Sequence, residues 1–351
     1  MVAELREIEG AIFGDTEKSS PLVVPPPELP ATKKVIASNP DADDYPGLRY
    51  LGYGLYDDKQ PPPEGLSVPP SDPIRLTLRF RREVAGARDV LAATLWLWAH
   101  LGGIGARSRR GFGGVGVVNH TGLPPSAAPH FEPVSDHAHL VKRLLDGLDW
   151  VTQVFRETLP RFRSNPIEVG SGPHPAIRTI DGLTKVTVLA GHHPSAQVAL
   201  DQAGRFFRDF RSSLQRGRAR LPPLADYFTV KTALQNQRAA HSVERAAFGL
   251  PLPFFFRSLG GMKTKFDLGD DGDRLASPLL FRVHRLTQGA GGAPCFVVLL
   301  ANLAEGNGAD PLNGMDVFQE RLGQIQERPD GKIIGEFIDW AADAAKREAT
   351  R

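Results

Sequence analysis

Apolar residues recur at helical spacing over 87–101, where Leu91, Leu95, Trp98 and Leu101 fall three or four apart before Gly102-Gly103. The pattern predicts a helix that buries this stripe and stops at the glycines. The same period returns over 136–158 through Leu140, Leu144, Leu148 and Val151, with Pro160 beyond it. A third helix is expected over 195–215, with Phe206, Phe207, Phe210 and Leu214 on one side and Arg205, Arg208 and Arg211 on the other. Residues 314–328 and 331–347 read as terminal helices. A period of two marks 74–80 as a half-buried strand with Arg75 and Arg79 on its wet face. Apolar and β-branched runs predict strands at 115–118, 185–190, 279–286 and 295–300, the last two paired across the QGAGGAP connection.

Residues 1–20 read as a helix end running into a loop. The stretch 21–73 carries PPP at 25–27 and 61–63 and so contains neither a helix interior nor a central strand over those runs. Between them, 49–56 reads as a short strand or turn with aromatic anchors. Two successive sets of strands and helices predict two α+β units with antiparallel sheets, divided near 165–180. No internal repeat stands out.

The 351 residues, 41% of them apolar, suffice for two cores. A single cysteine, Cys295, excludes an intramolecular disulfide framework and a thiolate zinc site, and suits a reducing compartment. No run reaches the roughly 18 apolar residues of a membrane span, and the opening residues lack a leader's apolar core, so the expected location is the cytoplasm.

Charge placement says more than the formal net charge of +2. Arg75, Arg79, Arg81, Arg82 and Arg88 form one basic block, and Arg107, Arg109 and Arg110 a second. In a third, six arginines face two aspartates across 201–220. Acids cluster elsewhere, at Asp41, Asp43, Asp44, at Asp57, Asp58 and at Asp270, Asp271, Asp273. Basic stripes within a neutral whole suit local attraction of a polyanion, and guanidinium forks favour phosphate. Solvated helix faces are the plainer account of each block.

Catalytic patterns are sparse. Residues 111–116 fit G-x-G-x-x-G, but a predicted helix precedes them and a strand follows, the reverse of the order a dinucleotide site requires. Asp136, His137 and His139, and the pair His192-His193, lack a partner set for a metal and read as capping or solvated residues. His130 and His174 beside prolines read as loop residues, and Asp270-Asp271-Gly272-Asp273 as an exposed hairpin. No metal and no cofactor is expected.

The sequence LGGIGARSRRGFG at 101–113 resembles the glycine-rich loop of the RAMP superfamily of CRISPR proteins. More narrowly, it is similar to the family of the large RAMP subunit that caps the type III-B (Cmr) effector. Three patches agree: Glu9-x-x-Ile12-Phe13-Gly14, Tyr50-Leu51-Gly52-Tyr53-Gly54, and Ala276-Ser277-Pro278-Leu279 leading to Phe281-Arg282-Val283. The resemblance implies two ferredoxin-like (RRM-like) domains: 1–165, with the Pro-rich insertion 21–73 and the Gly/Arg loop 102–114, and 175–351, with C-terminal helices. It also implies a non-catalytic subunit that binds guide RNA and target RNA and contacts neighbouring Cmr subunits. The residues it assigns to RNA are Gly105, Arg107, Ser108, Arg109, Arg110, Gly111 and Gly113, with Lys263, Lys265 and Arg274 as weaker members.

The pattern departs from the family at its start, since Ile12-Phe13-Gly14 comes almost at once and the usual opening strand and most of the first helix do not precede it. The first domain is therefore expected to be incomplete, with a separate polypeptide supplying the missing strand and helix. Two other roles fit the residues: a guide-RNA-processing endoribonuclease using His100 or His120 as general base, and an adaptor that contacts only protein.

Overall fold

A computed structural model describes residues 9–10, 12–17, 19–28, 33–36, 44–53, 64–67, 73–105, 107–158, 168–169, 177–179, 184–211, 225–269, 274–289, 293–303, 316–329 and 331–350. Strand β1 (Leu22–Val23) is followed by β2 (Lys33–Ile36), helix α1 (Pro46–Leu51), β3 (Glu64–Ser67), β4 (Arg79–Phe80), α2 (Ala87–Leu101) and α3 (His137–Thr158). Next come β5 (Glu168–Val169), β6 (Ile177–Thr179), β7 (Thr184–Val188), α4 (Ala196–Arg211), α5 (Ala225–Gln235), β8 (Leu252–Phe256) and β9 (Met262–Leu268). The chain ends in β10 (Leu279–Leu286), β11 (Cys295–Asn302), β12 (Val317–Gln319), β13 (Gly323–Gln324) and α6 (Lys332–Ala349). The fold is α+β and every paired strand among these is antiparallel.

The organising element is a five-stranded sheet in the order β10-β11-β7-β6-β5. Strand β11 shows why it sits centrally. Cys295, Val297, Leu299 and Ala301 enter one core, while Val298 and Leu300 enter another. A strand buried on both faces reads as an unbroken apolar run, as this one does. Helices α2 and α3 cover the first face, and α1, α4 and α6 cover the second. A smaller sheet, β13-β12-β9-β8, packs against α5 around Val230, Phe256 and Phe266. Among the described residues no helix is long and apolar enough to cross a membrane.

Helices α2 and α3 lie where the apolar period puts them, and α3 buries Leu140, Leu144, Leu148 and Val151. The buried seam of α2 differs: Ala87, Val90, Ala93, Trp96 and Ala99 face the core, while Leu91, Leu95, Trp98 and Leu101 are only half-buried. The cause lies on α3. A Cβ at Gly147 would stand 2.1 Å from the Trp96 ring, so that glycine opens a notch for Trp96, and small alanines let the helix axes close up. Gly102 ends α2, its amide bonding Trp98 O at 2.9 Å.

Four expected elements are corrected. Residues 49–56, expected as strand or turn, open in helix α1, because Pro46 starts a helical turn whose free amides at Gly47 and Leu48 are capped by Asp201 Oδ1 at 2.7 and 3.0 Å. The strand expected over 74–80 pairs only at β4, with β1, and at an isolated Glu28–Arg75 bridge; Ile74 and Leu76 stay exposed. Residues 115–118 take no regular secondary structure and join no ladder among the described strands. The helix expected over 314–328 is the hairpin β12-β13: Arg321 and Gly323 take φ of +66° and +96°, which no helix interior accommodates, while Val317 and Ile325 fill the core against α5. Helix α6 and the hairpin β10-β11 stand as the pattern predicts. Leu214 and the acidic turn 270–273 lie outside the described residues.

Candidate nucleic-acid interface

The Gly/Arg loop leaves α2 and returns beside β10. Its neck is closed by the Ile104 amide bonding Gly113 O at 2.9 Å. Gly113, with φ +65°, admits no side chain, since its Cβ would lie 1.9 Å from Ile104 O. Gly111, at φ +88°, sits against Leu200 of α4, and Gly105, at φ +82°, stands open at the tip. The glycines thus serve both tight closure and an uncovered crest.

Each arginine of the loop fixes it to a different element. Arg107, itself at φ +63°, donates to Tyr53 O just past α1. Arg109 Nη1 donates to Ser277 O at 2.8 Å, while Arg109 O accepts the Phe281 amide at 2.9 Å. Arg110 Nη2 donates to Phe248 O at 3.3 Å, and its guanidinium lies 4.7 Å from the Phe207 ring centroid. Ser108 O accepts the Gly111 amide, which makes the turn. The three sequence patches around Tyr50, Arg107 and Phe281 therefore meet at one place, whereas Ile12 of the fourth is buried in the core under α2 and α3. Burial pushes the Arg110 guanidinium down to about 9, with the charge of Arg211 contributing next.

Arg107 and Arg109 are exposed, as are Ile104, Gly105 and Tyr53 around them. Each of these arginines gives one nitrogen to a carbonyl here, and a guanidinium carries five N–H donors. The crest can therefore present cationic forks on a fixed backbone. Lys263, Lys265 and Arg274 are exposed too, but the lysines lie on β9 of the smaller sheet. There Lys263 stands 5.8 Å from the Phe255 centroid and Lys265 pairs with Asp267 at 2.8 Å.

Several site-forming residues were not legible beforehand. Arg211, expected to face outward on α4, turns onto Phe207 at 4.9 Å, while Arg205 and Arg208 pair with Asp201 and Asp209. Arg282, 2% exposed, lies beneath the loop and donates Nη2 to Ala99 O and to Val115 O at 2.5 and 2.6 Å. Burial lowers it to about 10. A Cβ at Gly114 would stand 2.2 Å from its Nη1, so glycine there makes room for the guanidinium. Its sequence signal was an arginine inside an apolar strand.

Of the two histidines considered for cleavage, His100 is packed between Trp96 and His284, at ring separations of 4.4 and 5.7 Å, and burial takes it down to about 4. His120 lies edge-on to Phe131, its Nε2 3.9 Å from Glu132. His139 is fastened at the start of α3 by Asp136 and Ser135, and His137 reaches Val188 O. His130, expected as a plain loop residue, stacks on Trp150 at 4.9 Å.

Comparison with known proteins bears on the amino-terminal third. The family model of the RAMP superfamily matches residues 3–115, the segment that contains the loop. The apo crystal structure of Cmr1 from Pyrococcus furiosus is similar with a TM-score of 0.47 at 18% identity, covering 97% of this chain and 81% of that one. A chain of the type III-B Cmr-beta structure bound to cognate target RNA gives a TM-score of 0.42 at 11% identity, covering 98% and 87%. No curated protein matches the chain.

Proposed function

We propose that the chain is a RAMP subunit of a type III-B CRISPR ribonucleoprotein effector. It binds guide RNA and its target RNA, contacts neighbouring Cmr subunits, and leaves cleavage to other components. The observation that carries this reading is the glycine crest at 104–113. Arg107 and Arg109 stand exposed beside Gly105 on a backbone closed at its neck and anchored to three separate elements. Glycines let a sugar-phosphate chain approach, and guanidinium forks pair with its phosphates. The match of 3–115 to the RAMP superfamily supports it.

The reading includes a division into ferredoxin-like units at 1–165 and 175–351, and a cytoplasmic location. It also includes contact with a separate polypeptide along the first unit, where 76–78 and 115–118 join no ladder among the described strands. The test is affinity for a repeat-derived RNA as a function of salt. Substituting Arg107 and Arg109 together by Ala is expected to weaken binding about tenfold and to flatten the slope of log K against log salt by about one per lost phosphate contact. An unchanged slope would support the protein-only adaptor instead.

A further inference from the structure

Beneath the crest, Arg211 interacts electrostatically with both Arg110 and Arg245, and of the three only Arg245 is paired with a carboxylate among the described residues. The central carbons of Arg110 and Arg211 both lie within 4.9 Å of the Phe207 centroid, and Arg211 also lies 5.7 Å from Phe248 and 6.0 Å from Tyr50. Arg245, in the turn before Phe248, stands 3.8 Å from Asp226. That carboxylate already accepts the amides of Glu244 and Arg245 at 3.0 and 2.8 Å. Two positive charges are left in excess.

The donors are unfinished as well as unbalanced. Arg110 Nη1, Arg211 Nε and Arg245 Nε are buried and make no hydrogen bond among the described residues, Arg245 Nε standing 3.8 Å from the Asp226 carboxylate. A buried charged donor without an acceptor costs more than the roughly 1–3 kcal/mol of a neutral one. Stacking on aromatic rings offsets part of this but supplies no acceptor for an N–H. The charge of Arg211 also lowers Arg245, after burial, as it does Arg110, so Arg211 couples to each of the other two. An oxyanion with several oxygens relieves both the repulsion and the missing acceptors, and the rings hold the planar forks ready for it.

We infer that Arg110, Arg211 and Arg245 form a binding site for a phosphate group. The source of that phosphate, a phosphodiester or a terminal phosphate of bound RNA, rests on the function proposed above; the charge and the open donors do not.

The test follows thermal unfolding of the full chain in inorganic phosphate, in glutarate and in chloride at matched ionic strength, for wild type, Arg211→Lys and Arg211→Met. RNA ending in a 3′-phosphate or a 3′-hydroxyl is titrated in parallel. Phosphate is expected to raise the wild-type Tm by about 2–4 °C over chloride, with the rise at least halved in Arg211→Lys and absent in Arg211→Met. A terminal-phosphate source appears as tighter binding of the 3′-phosphorylated RNA by wild type, lost in the variants. A phosphodiester source appears as an equal loss of both RNAs, about tenfold. A phosphate rise missing from wild type, or unchanged in Arg211→Lys, overturns the site. RNA binding that persists in wild type would then leave the wider function standing. Glutarate acting as strongly as phosphate overturns the phosphate assignment in favour of a protein carboxylate. Should Arg211→Met fail to fold, Arg211→Lys, which keeps the charge and loses the fork, decides alone.

Discussion

Gly113 combines a positive φ with a carbonyl 1.9 Å from where a Cβ would stand, so Gly113→Ala has to reopen the neck of the loop. The expected cost is about 1–3 kcal/mol, read as a fall in Tm, together with loss of RNA affinity. Gly105→Ala has open space around its Cβ and should cost about 1 kcal/mol through φ alone, with binding retained more fully. His100 and His284 set an acid limit. Burial first, then neighbouring charge, holds His284 well below its ordinary value, and burial takes His100 to about 4. In the unfolded chain each returns to about 6.5, so the unfolded state takes up protons that the folded state refuses. Stability is full above the unfolded value and falls as pH drops from about 6.5 toward 4, by roughly 1.4 kcal/mol per unit for each group. His100→Phe keeps the stacking against Trp96, and urea midpoints measured between pH 7 and 4.5 should show a shallower acid slope.

At the scale of elements, α1 depends on α4 more than on its own six residues. A Cβ at Gly47 would lie 2.0 Å from Asp201 O, and one at Gly204 would lie 2.2 Å from Gly47 O, so the two backbones touch. Gly204→Val should detach α1, expose the chain at Arg49 to trypsin, and release Tyr53 from Arg107. Asp201→Ala, which removes the cap and the pairing with Arg205 but leaves the backbone contact, should cost about 1–2 kcal/mol and leave α1 docked. This dependence explains what the sequence could reveal and what it could not. Helices α2 and α3, α6 and the hairpin β10-β11 follow from periodicity, because their apolar residues repeat within one element. Helix α1 is induced by a partner about 150 residues away in the chain, Asp201, and no local pattern announces it. The β12-β13 hairpin turns on the left-handed conformation of Arg321, which residue type does not signal. For the site, the glycine crest was legible as a motif. The inward turn of Arg110 and Arg211 was not, because a helical wheel cannot tell an arginine in water from one on phenylalanine rings.

For the whole molecule, one core joins distant parts of the chain: Trp96, Leu144 and Val151 pack with Val186, Leu286, Val297 and Leu299. The helices of 87–158 close a face of the sheet that 184–302 completes. The full chain should therefore unfold in urea as one transition when followed by tryptophan emission and by far-UV dichroism together. Residues 175–351 expressed alone would leave Val297, Leu299 and Ala301 uncovered, and are expected to bind a hydrophobic dye or aggregate. Two separate transitions would instead indicate halves of independent stability.

Arg282 fastens both feet of the crest, Ala99 O where it departs and Val115 O where it lands, to a single nitrogen rooted in the central sheet. A clasp anchored in this way spends little entropy on settling when a strand arrives. Calorimetric titration should then give a small heat-capacity change, and shortening that anchor by Arg282→Lys should lower affinity chiefly through faster release.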